Sequence, residues 1–252
     1  LGAAIGPILA LLYLLYKPED YKMLFLIAFF PGLIVIVLTF FIKEKTLKKE
    51  KSYDNVSFFS YLSYWKVASS DYKKLIIGLL AFAFFNSSDA FLLLMLKSRG
   101  LTDSYVIGAY IFYNIVYALF SLPAGYMGDK IGLALTAKIG LVLFIITYAS
   151  IGYCYSVTGF AIIFFIYGIY ASTTEGVWKA LITNLSKKED TATALGFFNS
   201  ISSIFTFLSS SIAGAIWFKF GAKTMFLTSA VGVSLVLIYF LLLDVKISKK
   251  KI

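Results

Sequence analysis

Histidine is absent from this chain of 252 residues, and Cys154 is the single cysteine. One cysteine forms neither an intramolecular disulfide nor a thiolate metal cluster. Without histidine, the chain also lacks the commonest general base and the usual ligand of membrane metalloenzymes. We therefore expect no metal site, no cofactor and no enzymatic activity.

Charged residues are scarce as well. They make up 14% of the chain, against about 25% in ordinary soluble domains, while hydrophobic residues make up 60%. Windows of about 20 nearly uncharged residues recur along the whole length, and each is long enough to cross a bilayer core of about 30 Å as a helix. This composition excludes a water-soluble protein and predicts an all-α bundle of transmembrane helices embedded in a lipid bilayer.

Hydropathy and the polar segments that separate the apolar runs predict about eight spans. A hydrophilic connection separates the first two spans (1–43) from the last six (74–245), and a basic tail follows at 246–252. About 16 basic residues fall on one side of the membrane and about 6 on the other, so the positive-inside rule places the linker and the C-terminus in the cytoplasm. The predicted spans are 1–16, 22–42, 74–96, 105–124, 136–156, 159–182, 192–217 and 223–243.

The net charge of +10 does not indicate a nucleic-acid partner, because the lysines lie between spans and in the tail rather than on a folded face. The linker 44–73 contains "FFSYLSYWKVA", which puts Phe58, Leu62 and Trp65 at helical spacing. It is either an interfacial helix on the inner leaflet or a partly ordered linker. The other connections are too short to hold a soluble catalytic domain.

Polar side chains within spans are few, and they are candidates for a substrate or proton pathway because a mid-span charge costs about 2.5–3.5 kcal/mol. Asp89 is the deepest acidic group, at about 21 Å from the inner edge of its span at 1.5 Å per residue. Tyrosines and an asparagine of the fourth span share one helix face. The pathway candidates are Asn86, Asp89, Tyr113, Asn114, Tyr117, Tyr170 and Asn199.

The sixth span contains Glu175 and Lys179, four residues apart in an apolar helix. Glutamate before lysine at this spacing is the favourable orientation for an ion pair. We expect a buried charge pair, either with a structural or gating role or with Glu175 as a proton carrier.

The connection after the fourth span reads "AGYMGDKIGLAL" and combines glycines with an adjacent acid and base: Gly125, Asp129, Lys130 and Gly132. Glycines at this spacing permit a tight turn and close helix contact. An intramembrane aspartyl protease is a weaker interpretation, because Met127 occupies a glycine position of that motif and no second aspartate motif faces it.

The segment "GYMGDKIG" resembles the signature loop of the major facilitator superfamily of transporters. "GAAIGP" near the start is similar to that family's fifth helix, and "TTEGVWKALITN" with "TALGFFN" resembles the tenth and eleventh helices of a bacterial branch. The resemblance implies a C-terminal fragment covering the fifth to twelfth helices, in which Asp129 belongs to a cytoplasmic gate.

The resemblance further implies a secondary active transporter that moves a small solute by alternating access, coupled to protons or another ion. We expect it in a prokaryotic plasma (inner) membrane, as a monomer when complete. Two alternatives stay open: a membrane-embedded enzyme of lipid metabolism, and a non-transporting sensor or defunct fragment.

Overall fold

The computed structural model describes residues 2–41 and 60–243, and these residues form helices joined by short connections, without a β-strand. Seven helical segments in them are long and apolar enough to span a membrane, and the first helix is shorter. The predicted all-α bundle is confirmed. The helices are α1 (Gly2–Tyr16), α2 (Tyr21–Thr39), α3 (Tyr64–Val67), α4 (Ser70–Phe85), α5 (Ala90–Ser98), α6 (Asp103–Ile131), α7 (Leu133–Ile151), α8 (Val157–Leu185), α9 (Thr191–Phe220) and α10 (Ala222–Leu242).

Short polar residues and glycines define where these helices begin and end. Ser69 and Ser156 accept hydrogen bonds from backbone N–H groups in the first turns of α4 and α8, which is the usual role of an N-cap serine. The connection between α6 and α7 is Gly132 alone, with a φ of +96°. Because side chains with a Cβ rarely adopt that conformation, glycine permits the abrupt change of direction.

The predicted third span, 74–96, is not one continuous helix. It consists of α4 and α5 with an interruption of four residues, Asn86 to Asp89. Consecutive Asn, Ser, Ser and Asp side chains compete with the helix for backbone hydrogen bonds. The Ser88 hydroxyl accepts from the N–H of Ala90, and the Ser88 N–H donates to the hydroxyl of Ser210 in α9. One local side-chain bond and one bond to the neighbouring helix α9 thus replace part of the helical ladder.

The core of the protein lies in the six spans from α4 to α10, with α8 packed between α6 and α7. Gly140 of α7 lies directly against Thr173 and Thr174 of α8, so that a Cβ at Gly140 would stand 2.4 Å from a Thr174 methyl carbon. Phe144 stacks on Tyr148 within α7, with ring centroids 3.9 Å apart, and both side chains are fully buried. Small residues therefore set the helix spacing and aromatic rings fill the space between.

The first two helices have few contacts with this core. Helix α1 packs against α6, and none of the residues of α2 is buried. The Tyr21 hydroxyl at the start of α2 donates to Asp103, which also forms a salt bridge with Lys97. This polar contact joins the start of α2 to the start of α6.

The described part of the linker does not form the long amphipathic helix that its spacing allows. A 3-10 turn over Ser60–Ser63 leads into the single-turn helix α3. Trp65 stacks on Phe197 of α9 at 5.6 Å and Tyr64 is buried, whereas Leu62 is 43% exposed. Phe58 and the tail at 246–252 lie outside the described residues.

Candidate functional site in the interrupted span

Asp89 lies at the end of the interruption, immediately before α5. Its side chain does not cap that helix. The carboxylate instead accepts a hydrogen bond of 2.6 Å from the Tyr167 hydroxyl of α8, and the Tyr113 hydroxyl of α6 is close enough to interact with it as well. Three helices thus contribute to one polar cluster around a half-buried carboxylate.

The tyrosine rings of this cluster are packed against one another. Tyr167 lies 5.1 Å from Tyr113 on one side and 5.1 Å from Tyr170 on the other, between ring centroids. All three are buried. Helices α6 and α8 come this close because Gly168 has no side chain: a Cβ there would stand 2.7 Å from Val116. Of the predicted pathway residues, Asp89, Tyr113 and Tyr170 are therefore brought together inside the six-span unit.

Asn86 lies at the other end of the interruption, where it terminates α4. Its backbone N–H donates to the carbonyl of Phe82, and its side-chain oxygen Oδ1 is buried without a hydrogen-bond partner among the described residues. Buried polar atoms are almost always paired, so an exception indicates strain or a site for a water molecule or an ion. Between the two ends, Ser87 forms hydrogen bonds with the Tyr148 hydroxyl of α7.

Two further pathway candidates are not part of this cluster. The Asn114 amide donates to the carbonyl of Tyr110 one turn earlier at 2.8 Å, a local bond within α6. Asn199 of α9 is exposed, and its backbone carbonyl accepts from the Ser202 and Ser203 hydroxyls.

The predicted charge pair of Glu175 and Lys179 takes a different form. Both residues are exposed in the described structure, and no salt bridge joins them. The Glu175 carboxylate accepts a hydrogen bond of 3.0 Å from the Tyr117 hydroxyl of α6 instead. The hydrogen-bond partner of Glu175 is therefore a tyrosine of a neighbouring helix and not the lysine that the i, i+4 spacing predicts. The expectation of a buried ion pair is wrong for this conformation.

The glycine-aspartate segment is helical rather than a loop. Gly125, Asp129 and Lys130 belong to the last turns of α6, and Gly132 alone is the connection. The Lys130 ammonium lies over the Tyr126 ring, 4.7 Å from its centroid. Asp129 is exposed, without a hydrogen bond or salt bridge in the part of the chain that the structure describes. It is therefore free to bind another segment.

Three residues that shape the cluster are not among the pathway candidates predicted from the sequence: Tyr167, Tyr148 and Ser87. Tyr167 lies three residues before the chosen Tyr170, so the two are neighbours on one helix face. Tyr148 lies in a long apolar run of α7, and no charged residue in that run indicates a polar site.

Comparisons with known proteins identify the family of the chain. The family model described as Major Facilitator Superfamily matches residues 75–252. An "Uncharacterized MFS-type transporter MJ1317" of Methanocaldococcus jannaschii is 31% identical over 236 residues, which cover 91% of this chain and 58% of that protein. The chain therefore spans a little over half of this relative's length. With its helical bundle and matching segments, the chain belongs to the major facilitator superfamily.

Proposed function

We propose that the protein is a secondary active transporter that moves a small solute by alternating access, with Asp89 as the group that couples transport to an ion or proton. Membership of the family supports membrane transport in general. The observation that supports the coupling role is a half-buried carboxylate in an interrupted span, hydrogen-bonded by Tyr167 and without a salt bridge among the described residues.

An interrupted span suits this role for a physical reason. Interrupted helices in transporters expose backbone groups and helix ends near the middle of the membrane, where substrates and coupling ions bind. A charge that moves through the membrane potential gains about 2.3 kcal/mol per 100 mV. A carboxylate that binds and releases one positive charge in each cycle would convert that energy into solute accumulation.

The other candidate residues fit different steps of the cycle. Tyr117 and Glu175 form an exposed hydrogen-bonded pair on α6 and α8, where they would contact solute or a moving helix. Asp129 and Lys130 at the end of α6 would brace the closed cytoplasmic side. We further propose that the C-terminus is cytoplasmic, that the membrane is the prokaryotic plasma membrane, and that the complete protein is a monomer without enzymatic activity.

Uptake in proteoliposomes tests the proposed function. A library of sugars, amino acids, amines and organic acids is first screened for compounds that raise the unfolding temperature of the purified chain. Each hit is then tested for uptake driven by an imposed potential and pH gradient, using the complete reading frame that contains this chain. We expect Asp89→Asn to abolish gradient-driven uptake but to retain counterflow exchange, because exchange needs no net charge movement.

The matched control is Asp71→Asn, which removes a partly exposed carboxylate that pairs with Lys74 at the start of α4. It should leave both measurements unchanged. Gradient-driven uptake that survives in Asp89→Asn would refute the coupling role. Absence of uptake and exchange for every stabilising compound would refute the transporter proposal itself.

A further inference from the structure

The interruption between α4 and α5 carries negative charge without a described positive partner. The salt bridges among residues 2–41 and 60–243 are Lys74–Asp71 and Lys97–Asp103, so Asp89 has none. The titratable groups that interact with its carboxylate are tyrosine hydroxyls. The positive end of α5 offsets part of the charge, but the carboxylate accepts none of that helix's N–H groups. Hydrogen bonds from tyrosines leave the net charge in place, so a half-buried carboxylate in such surroundings favours the binding of a proton or a cation.

Oxygen atoms at the end of α4 are also unpaired. The Asn86 Oδ1 atom is buried and lacks a hydrogen-bond partner among the described residues. No described hydrogen bond reaches the last three backbone carbonyls of the helix, those of Ala83, Phe84 and Phe85, from outside it. Carbonyls at a helix C-terminus carry a partial negative charge. A carboxylate, an amide oxygen and a negative helix end therefore lie within one short stretch of backbone.

We propose that this interruption binds one small monovalent cation of the sodium type. Asp89 and Asn86 would supply the side-chain oxygens, and the free carbonyls at the end of α4 would supply the others. The inference rests on the proposed function, since it identifies the ion that Asp89 couples. It also goes beyond the sequence-based expectation of no metal site, which considered histidine and cysteine.

The charge count favours a monovalent cation. Calcium sites take six to eight oxygens, usually with several carboxylates among them. The described residues contain no group of three or more His, Cys, Asp or Glu side chains that could hold a metal ion. One carboxylate with neutral oxygens balances a single positive charge.

A cation also explains more of the structure than a proton does. A proton on Asp89 would neutralise the carboxylate, but it would leave the negative end of α4 without a positive partner. A bound sodium ion would balance the charge of the carboxylate, coordinate the unpaired Asn86 oxygen and contact the negative end of α4 at the same time. Unwound backbone and helix C-termini are a recognised source of ion ligands within membranes.

Thermal unfolding of the purified chain in lipid nanodiscs tests this site without any solute. The unfolding temperature is measured in sodium chloride, potassium chloride and choline chloride at equal ionic strength. Saturating sodium should raise it by about 5–10 °C over choline. Asp89→Asn and Asn86→Leu should abolish the sodium effect, whereas Asn86→Asp should retain it because a carboxylate still offers an oxygen ligand.

Two control variants remove the same chemical groups elsewhere. Asp71→Asn alters a partly exposed residue and Asn184→Leu an exposed one, both outside the interruption. Both variants should keep the full sodium effect. Equal stabilisation by all three salts, or sodium stabilisation that persists in Asp89→Asn, would overturn the cation site. Gradient-driven uptake by the complete reading frame that needs protons but not sodium would also overturn it, while leaving the proposed transporter function intact.

Discussion

Helices α2 and α8 show that hydrophobicity and burial are separate properties in this protein. An 18-residue stretch of α2 has a mean hydropathy of 2.4, and none of the residues of α2 is buried. The corresponding stretch of α8 has a mean hydropathy of 1.5, yet 14 of the 29 residues of α8 are buried. In a bilayer the lipid chains are as apolar as leucine, so apolar surface alone does not drive helices together. The more polar helix is therefore the one at the centre of the bundle.

Small residues explain the difference in packing. Gly168 of α8 fits against Val116 and the Tyr113 carbonyl of α6, whereas no atom of the described residues lies within 4 Å of the position of a Cβ at Gly32 of α2. Close backbone approach permits van der Waals packing over a long contact, which stabilises membrane helices in the absence of a hydrophobic driving force. The same residue type is thus an interface residue in one helix and a neutral residue in the other.

Truncation of one phenylalanine in α8 and one in α2 should give the largest difference in the free energy of unfolding. Phe164 of α8 is 2% exposed and Phe30 of α2 is 64% exposed. We expect Phe164→Ala to lower the free energy of unfolding by about 3–5 kcal/mol, because it leaves a cavity in a packed core. Phe30→Ala should change it by less than about 0.5 kcal/mol. Reversible unfolding in mixed detergent micelles, followed by tryptophan fluorescence, measures both, and equal losses would refute the contrast.

Adding a side chain to a glycine in each helix should have a smaller effect. Gly168→Leu inserts atoms where a Cβ already meets Val116 at 2.7 Å, and overpacking of this kind costs about 1–3 kcal/mol. Gly32→Leu enters open space in α2 and should be neutral or slightly stabilising, since leucine favours helix more than glycine does. The same unfolding assay measures the pair. A neutral Gly168→Leu would mean that α6 and α8 separate easily.

Removal of one hydroxyl in each region should give the smallest effect. Tyr167→Phe deletes the hydrogen bond to the half-buried Asp89, and we expect a loss of about 1 kcal/mol, typical of hydrogen bonds within membranes. Tyr21→Phe at the start of α2 deletes a bond to the exposed Asp103 and should cost less than about 0.5 kcal/mol. A larger loss of unfolding free energy for Tyr21→Phe than for Tyr167→Phe would contradict this expectation. It would mean that the exposed contact between Tyr21 and Asp103 stabilises the protein more than the hydrogen bond to the half-buried Asp89.

The candidate site could be predicted in part from the sequence. The depth of Asp89 in an apolar span identifies its carboxylate as energetically costly to place there. The sequence predicts Tyr113 and Tyr170 only as pathway candidates; they lie in the same cluster as Asp89, and their role in a pathway stays a prediction. The partner of Glu175 could not be read from the sequence, because spacing reveals neighbours on one helix and Tyr117 comes from another. Gly125 and Asp129 were expected in a loop, but the helix continues through them to Gly132, where φ becomes positive.

The sequence by itself determined that the protein is a helical membrane bundle, where its spans lie, and which few polar residues they contain. These properties depend on local composition and length, since a helix in lipid satisfies its own backbone hydrogen bonds. Only the tertiary structure decided that the third span is interrupted, that Tyr167 donates to Asp89, and that Asn86 Oδ1 has no described partner. Those properties depend on distances between residues far apart in the chain, which follow from helix packing and not from hydropathy.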